Sequence, residues 1–321
     1  MAGSMHARKP SGSRLKPVAD TLEAVGFVSK GDRKLLDQKT QNEYFEKIVN
    51  RFLEFCATHH DDLDAALASL PTSSSGDPTK NPPASFPQSK SKPGVSRGPS
   101  ASTELSTILL SLRKLREAVL ATASTTPVSF SQQVHVFSIR TSILAQHPPS
   151  YFPSLRYLLE RLHKPSHPLS DKELKETTSY LILDYACRQC DMVAAFELRA
   201  HARSRYAFES QTIDRVLAAL MQDNWIVFWK IRNEVDSKMR ALMNWAVDRM
   251  RRHALKAVGS AYLNVDVRWI VEGCTGERQN WTWDKLVEKE KLGWLKEGDK
   301  IIIKRPRLRP EKKLVPIKEG S

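Results

Sequence analysis

Apolar residues recur at three- and four-residue steps at Tyr44, Phe45, Ile48, Val49, Phe52, Leu53 and Phe55, the spacing of one face of an amphipathic helix. The same helix is predicted to run on through Leu63, Leu67 and Leu70. The period returns at Leu105, Ile108, Leu109, Leu112, Leu115 and Leu120, and again from Phe130 through Val134, Phe137, Ile139, Ile143 and Leu144. Between these runs stand Thr126-Pro127, His147-Pro148-Pro149 and the stretch from His163 to Pro168. Proline disfavours the helical conformation in the residue before it, so each is read as a break. Ser170, followed three residues later by Glu173, forms a capping-box pattern that opens a helix over 174–190. Another helix is predicted over Met192–Tyr206. No exact repeat is present, so periodicity alone predicts stacked helix pairs, a TPR-like helical-repeat array over 104–211.

The C-terminal third changes character. Ile213, Val216, Leu217, Leu220 and Met221 mark a short amphipathic helix, Asp223-Asn224 breaks it, and Trp225, Phe228, Trp229 and Ile231 mark a second. A long helix is predicted over 237–262 and a short one over 265–274, ending near Gly273 or Gly276. A further helix over 282–291 has Thr282 as its cap. The β-branched run Lys300-Ile301-Ile302-Ile303-Lys304 and the segment Gly293-Trp294-Leu295-Lys296 flank Glu297-Gly298-Asp299, the signature of a hairpin. Helices followed by a terminal hairpin is the order of a winged helix. The expected fold is therefore mostly α, a helical-repeat array followed by a C-terminal winged helix with a short β-hairpin.

Segments outside these patterns set the expected boundaries. Residues 1–40 are predicted to be mostly a disordered basic tail carrying one apolar patch at 22–28. Residues 41–70 form an N-terminal helix region. Residues 71–103, rich in Ser, Pro, Lys and Gly, cannot bury enough surface to offset chain entropy and read as a disordered insertion. The array (104–211), a winged-helix region (212–305) and a basic tail (306–321) follow.

Composition narrows the class. The 321 residues allow two domains or one elongated one. A hydrophobic fraction of 40% with 27% charged residues is ordinary for a globular chain. Fifty Lys and Arg against 36 Asp and Glu give a net charge of +14, which favours an anionic partner such as nucleic acid or an acidic protein surface. Solubility is the other account of the same excess. Cys56, Cys187, Cys190 and Cys274 show no framework spacing, which points to a reducing compartment. No apolar run approaches the roughly 18 residues needed to span a bilayer, and the N-terminus is polar and basic. A soluble intracellular protein with no membrane partner is expected.

Catalytic motifs find no support. Cys187-Arg188-Gln189-Cys190 has the spacing of half a zinc site, but no second pair follows, so packed helix cysteines are the expectation. His59-His60 beside Asp61-Asp62 suggest a metal site, but neighbours on a helix point about 100° apart and rarely converge, so an exposed helix end is the expectation. Phosphate-cradling glycine loops and the hydrolase elbow are absent. The chain is read as no enzyme, with no cofactor and no metal.

One basic cluster does stand out. Arg249, Arg251, Arg252 and Lys256 lie on the long helix, Arg268 on the next, Lys285 and Lys289 on the last, and Lys300, Lys304, Arg305, Arg307 and Arg309 on and beyond the hairpin. A helix in a groove with a basic wing along phosphates would suit nucleic acid. Asp248, Asp284, Glu288 and Glu290 are interspersed, so a solvated mixed-charge face is the competing account. Trp281 and Trp283 could stack on bases or pack in the core. The run 304–313 is basic in the manner of a nuclear-import signal or of a phosphate-binding arm, and the nucleus is the expected compartment, with the cytoplasm as alternative.

The segments 213–235, 239–258 and 265–276 together resemble a PCI domain of the GANP type. They are also similar to the small-subunit branch found in the proteasome lid, the COP9 signalosome and initiation factor three. The residues that carry the likeness are the turn Gln222-Asp223-Asn224, the aromatic pair Phe228 and Trp229, and the run Asp248 to Arg251 on the long helix. The Arg-Pro-rich entry sequence of the GANP branch is missing. The resemblance implies a non-enzymatic scaffold subunit of a nuclear complex linked to mRNA processing or export. Its implied partners are other PCI-type subunits, a small acidic protein, and RNA at the basic face. The alternatives are a proteasome-lid, signalosome or initiation-factor-like subunit, or a free-standing nucleic-acid-binding winged-helix protein.

Overall fold

The structure, a computed structural model, describes residues 34–70, 100–277 and 281–304. Expectations for most of 1–40, 71–103 and 306–321 lie outside the described residues. The chain is mostly helical, with a small three-stranded antiparallel sheet near its C-terminal end. It divides into two units, Met1–Ser150 and Tyr151–Ser321, so the stretch 104–211 that periodicity kept together is split between them. Spacing records which face of a helix is buried, but not which neighbour buries it.

In the first unit a 3-10 turn, Lys34–Leu36, leads into α1 (Gln38–Thr58), whose first turn is capped by Asp37 accepting from the Thr40 amide at 3.0 Å. Leu35 is buried, so ordered structure begins inside the stretch assigned to a tail. Helix α1 does not run on to residue 70. It stops at His59, and a 3-10 turn (His60–Asp62) and the short α2 (Leu63–Leu67) follow. Thr58, two histidines and two aspartates in a row are weak helix formers, and they end the helix although the apolar period continues beyond them. Helix α3 (Ala101–Ala121) starts within the expected insertion, with Ser100 capping the Thr103 amide. Helix α4 (Val128–Leu144) begins directly after Pro127, as the break predicts.

Tyr44, Phe45, Ile48 and Phe55 of α1 share one core with Leu105, Ile108, Leu112 and Leu115 of α3 and Val134 of α4. Phe45 meets Phe130 and Phe137 edge to face, at 5.9 and 5.6 Å between ring centroids, the arrangement that sets a positive ring edge against a negative ring face. Gln41 is fully buried and donates to the Leu35 carbonyl at 2.8 Å and to Thr122 Oγ1 at 2.9 Å.

The unit division falls near the start of α5 (Pro148–Tyr157), which continues as a π-helical turn, Leu158–Leu162. Ser170 caps α6 (Asp171–Leu183): its Oγ accepts from the Glu173 amide at 3.3 Å and donates to Glu173 Oε2 at 2.7 Å. A second π-helical turn, Asp184–Arg188, extends α6. Asp184 is completely buried and accepts four hydrogen bonds, from Tyr151 Oη, Arg188 Nε and Nη2, and Gln189 Nε2, at 2.7 to 2.8 Å. Four hydrogen bonds offset the cost of burying a carboxylate. Then come α7 (Met192–Tyr206), α8 (Gln211–Met221), α9 (Trp225–Glu234) and the long α10 (Ser237–Ala261), capped by Asp236.

After α10 the order is β1 (Asn264–Asp266), α11 (Val267–Thr275), α12 (Trp283–Glu290), β2 (Leu295–Glu297) and β3 (Lys300–Ile302). Strand β3 is central and antiparallel to both neighbours, pairing Ile301 with Val265 on one side and Lys296 on the other. The hairpin expected at 293–304 is present. Strand β1 is a correction, since the pattern put 265 and 266 in a helix: three residues with one apolar member offer no alternation to read.

Candidate interaction surface of the C-terminal helices and sheet

The last turns of α10, the two helices after it and the sheet share one interior. Ala254, Leu255 and Val258 of α10 meet Val265, Ile270, Val271, Cys274, Trp283, Leu286 and Ile301. These positions share one face of each helix, and each of two paired strands adds one residue. Two glycines allow close approach. At Gly259 an added Cβ would lie 3.0 Å from the Trp294 ring, and at Gly276, whose φ is +70°, it would lie 2.4 Å from the Trp229 ring. Gly276 thus ends α11 in the left-handed region, where a side chain would be strained, and lets α9 lie against that end.

The basic cluster separates into buried and exposed members. Arg251, expected on the charged face, is 1% exposed. Its Nε donates to Glu290 Oε1 at 2.6 Å, it pairs with Asp248 one turn earlier, and its guanidinium lies 4.5 Å from the centroid of Trp281. Helix geometry decides this, because a step of about 100° per residue turns Arg251 to the interior and Arg252 to solvent. Burial penalises the Asp248 carboxylate, but hydrogen bonds and charge from Arg251 and Lys289 outweigh it and hold its pKa below the ordinary carboxylate value. Arg249 is half-buried and donates to the Ala186 carbonyl at 3.2 Å, tying α10 to the π-helical turn after α6.

Arg252 and Lys256 are exposed one turn apart on α10. Lys304 reaches the same side, its Nζ 3.4 Å from the Ser260 carbonyl one turn further on. Exposed side chains at four-residue steps on a helix form one line. Arg268 is 82% exposed and paired with Glu272 at 2.9 Å, and Lys300 is exposed on β3 beside Glu297 and Asp266 in the sheet register. Lys285 is exposed on α12. Arg305, Arg307 and Arg309 lie outside the described residues. The structure therefore brings Arg252, Lys256 and Lys304 together and places Arg249, Arg268, Lys285 and Lys300 in separate settings.

Helix α12 carries Lys285 and Lys289 against Asp284, Glu288 and Glu290, two cations against three carboxylates. Such a helix cannot neutralise phosphates as a uniformly basic one would. Beside it, Trp281, Lys285, Glu288 and Lys289 line an open cavity of about 380 Å³. The two tryptophans divide the roles that sequence left open: Trp283 is buried in the core, while Trp281 is half-buried and lines the cavity.

Sequence reading missed four half-exposed apolar side chains. Tyr262 and Trp269 are about half exposed with ring centroids 5.7 Å apart, and Leu263 and Leu295 are similarly exposed. Tyr262 closes the long helix expected over 237–262 and Leu263 lies beyond it, before an unforeseen strand, so no period marked them as surface. Cys187 is buried and Cys190 exposed, and burial pushes the Cys187 thiol up to about 12. Among the described residues no group of three or more His, Cys, Asp or Glu converges on a common point, and no helix is long and apolar enough to cross a membrane. No model of a known protein family matches the chain, and neither does any curated protein.

Proposed function

We propose that residues 237–304 form a winged helix and that this chain is a non-catalytic PCI-type scaffold subunit of a nuclear multiprotein complex linked to mRNA processing or export. The observation that carries the reading is the order α10-β1-α11-α12-β2-β3, with the sheet ordered β1-β3-β2 around the core of Leu255, Leu286 and Ile301. That is the succession of helices, first strand and closing hairpin by which a winged helix covers its core. Support comes also from Phe228 and Trp229, the pair central to the PCI resemblance, which are both buried and pack ring to ring at 5.1 Å. A scaffold needs surface rather than a reactive centre, and the half-exposed Tyr262, Leu263, Trp269 and Leu295 provide apolar surface of the kind that marks protein contacts. Affinity purification of the tagged full chain from native nuclear extract should recover stoichiometric PCI-type partners. A clean monomer would overturn the reading.

RNA contact belongs to the same proposal, with the line Arg252, Lys256 and Lys304 leading toward the basic run 304–313. Its affinity should fall with salt, by a slope of about 0.7 per phosphate neutralised on a single strand. Reversing Arg305, Arg307 and Arg309 to Glu with no loss of binding would remove that part. A free-standing nucleic-acid-binding protein is the second reading, favoured by the net charge of +14. It is the one to keep if RNA binds and no partner copurifies.

A further inference from the structure

We propose that Cys187 and Cys190 are a reversible dithiol–disulfide pair, a redox modification site at the end of the π-helical turn after α6, whose oxidant is a small-molecule disulfide of the glutathione class. The pair is independent of the scaffold and RNA readings above.

The backbone brings the two cysteines together. Arg188 closes the π-helical turn, and Gln189 keeps a right-handed helical conformation with φ −79° and ψ −15°. Cys187 and Cys190 are therefore one turn apart, which in helix geometry sets their Cα atoms about 5 Å from each other. Bridged cysteines have Cα atoms about 4.4–6.8 Å apart. Cys190 then takes a φ of +58°, the left-handed region that disfavours any residue with a Cβ and at a helix end usually falls to glycine. That conformation folds the side chain back over the turn: Cys190 Sγ lies 3.9 Å from the carbonyl oxygens of both Cys187 and Arg188. A glycine would end the helix with less strain. A cysteine held there, its sulfur turned toward the cysteine three positions back, is a backbone outlier of the kind that marks functional positions, and π-helical turns are frequent at such positions too.

Exposure divides the work between the sulfurs. Cys190 is exposed and Cys187 is buried. Burial pushes the Cys187 thiol up to about 12, with Arg249 opposing the rise and Asp184 and Cys190 adding to it, so Cys187 does not meet an oxidant directly. Cys190 gives its proton to solvent, and its thiolate attacks one sulfur of glutathione disulfide. A Cys190–glutathione bond forms, the disulfide of the oxidant breaks, and one glutathione leaves. Cys187 then gives its proton to solvent and attacks the Cys190 sulfur, forming the Cys187–Cys190 bond and releasing the second glutathione. Two thiols are oxidised and one disulfide is reduced to two thiols. The second attack is intramolecular, which offsets the small thiolate fraction of Cys187. Excess glutathione runs the same steps backward, so in a reducing compartment the pair rests as thiols.

The full reduced chain is incubated with glutathione disulfide, quenched in acid, unfolded, alkylated with N-ethylmaleimide and digested with trypsin, which cuts after Arg188. Mass spectrometry should find the peptide that ends at Arg188 joined to the one that begins at Gln189, with neither cysteine alkylated, in a chain that runs as a monomer on a non-reducing gel. Cys187→Ser should stop with glutathione on Cys190, taken up within about twofold of the parent's initial rate, because Cys190 makes the first attack. Cys190→Ser should take up glutathione at Cys187 at least about tenfold more slowly. Thermal melts check that each variant is folded; if Cys187→Ser is not, Cys187→Ala takes its place. In the parent chain, glutathione left on Cys190 while Cys187 is alkylated, a bridge only between two chains, or no change at either residue would each overturn the pair.

Discussion

In the unit Met1–Ser150 every fully buried polar side chain among the described residues is neutral in its ordinary buried form: Gln41, His135 and a set of serines and threonines. In the unit Tyr151–Ser321 two formally charged side chains, Asp184 and Arg251, are buried at 0% and 1% exposure. Two buried hydroxyls of the first unit are satisfied within their own helix. Thr107 and Ser111 donate back to the carbonyls of Thr103 and Thr107, four residues earlier, at 2.9 and 2.8 Å. The charges of the second unit need partners from elsewhere in the chain. Asp184 accepts from Tyr151, 33 positions away, and Arg251 donates to Glu290, 39 positions away. One interior is specified mainly by shape and the other also by charge, so the two should fail in different ways.

Removing one partner of a buried pair leaves an uncompensated charge, and Arg251→Met should destabilise the second unit by about 3–5 kcal/mol. The double variant Arg251→Met with Glu290→Leu should recover most of that loss in urea unfolding followed by tryptophan fluorescence. If the double variant is no better than the single one, the Arg251–Glu290 pair is not what holds α12 to α10. The first unit should respond to acid instead. Burial, reinforced by the positive charge of Arg116, depresses the His135 pKa from 6.5 to about 3. The unfolded chain then binds the proton first as pH falls, so stability is full above about pH 6.5 and is lost progressively toward pH 3. At pH 5 the loss from this group should approach about 2 kcal/mol. Thermal melts from pH 7 to pH 5 should show the slope, and His135→Gln should flatten it.

Shape alone is tested by Phe45→Leu, expected to cost about 1–2 kcal/mol at any pH as both edge-to-face contacts of the Phe45 ring are lost. A loss that grows in acid would tie the aromatic cluster to His135 and blur the contrast. The smallest effect is expected at Arg252→Ala: below about 0.5 kcal/mol in stability, because the side chain is exposed, while the proposed RNA contact should show a shallower salt dependence.

Much of the architecture was legible before any coordinate. Helices α3, α4, α8 and α9 follow the apolar period closely, and the caps at Ser170 and Thr282 were visible as residue types in the right places. These features are local, because a helix's own geometry sets which residues share a face and which side chain can reach a free amide. The end of α1 at Thr58 was misplaced because the apolar period outran the helix-forming residues. Strand β1 was missed because its three residues are a strand only by virtue of β3, which arrives 36 positions later in the pairing of Val265 with Ile301.

The candidate surface divides in the same way. Sequence supplied the basic residues, the tryptophans and the interspersed carboxylates, all of them properties of composition and spacing. Tertiary structure decided that Arg251 is an anchor and Arg252 is surface, that Trp283 is core and Trp281 lines a cavity, and that Glu288 stands with Lys285 and Lys289 around it. The reason is physical: hydrophobic periodicity is written into each helix, whereas the partner of a charge or the exposure of a ring depends on which distant segment folds against it.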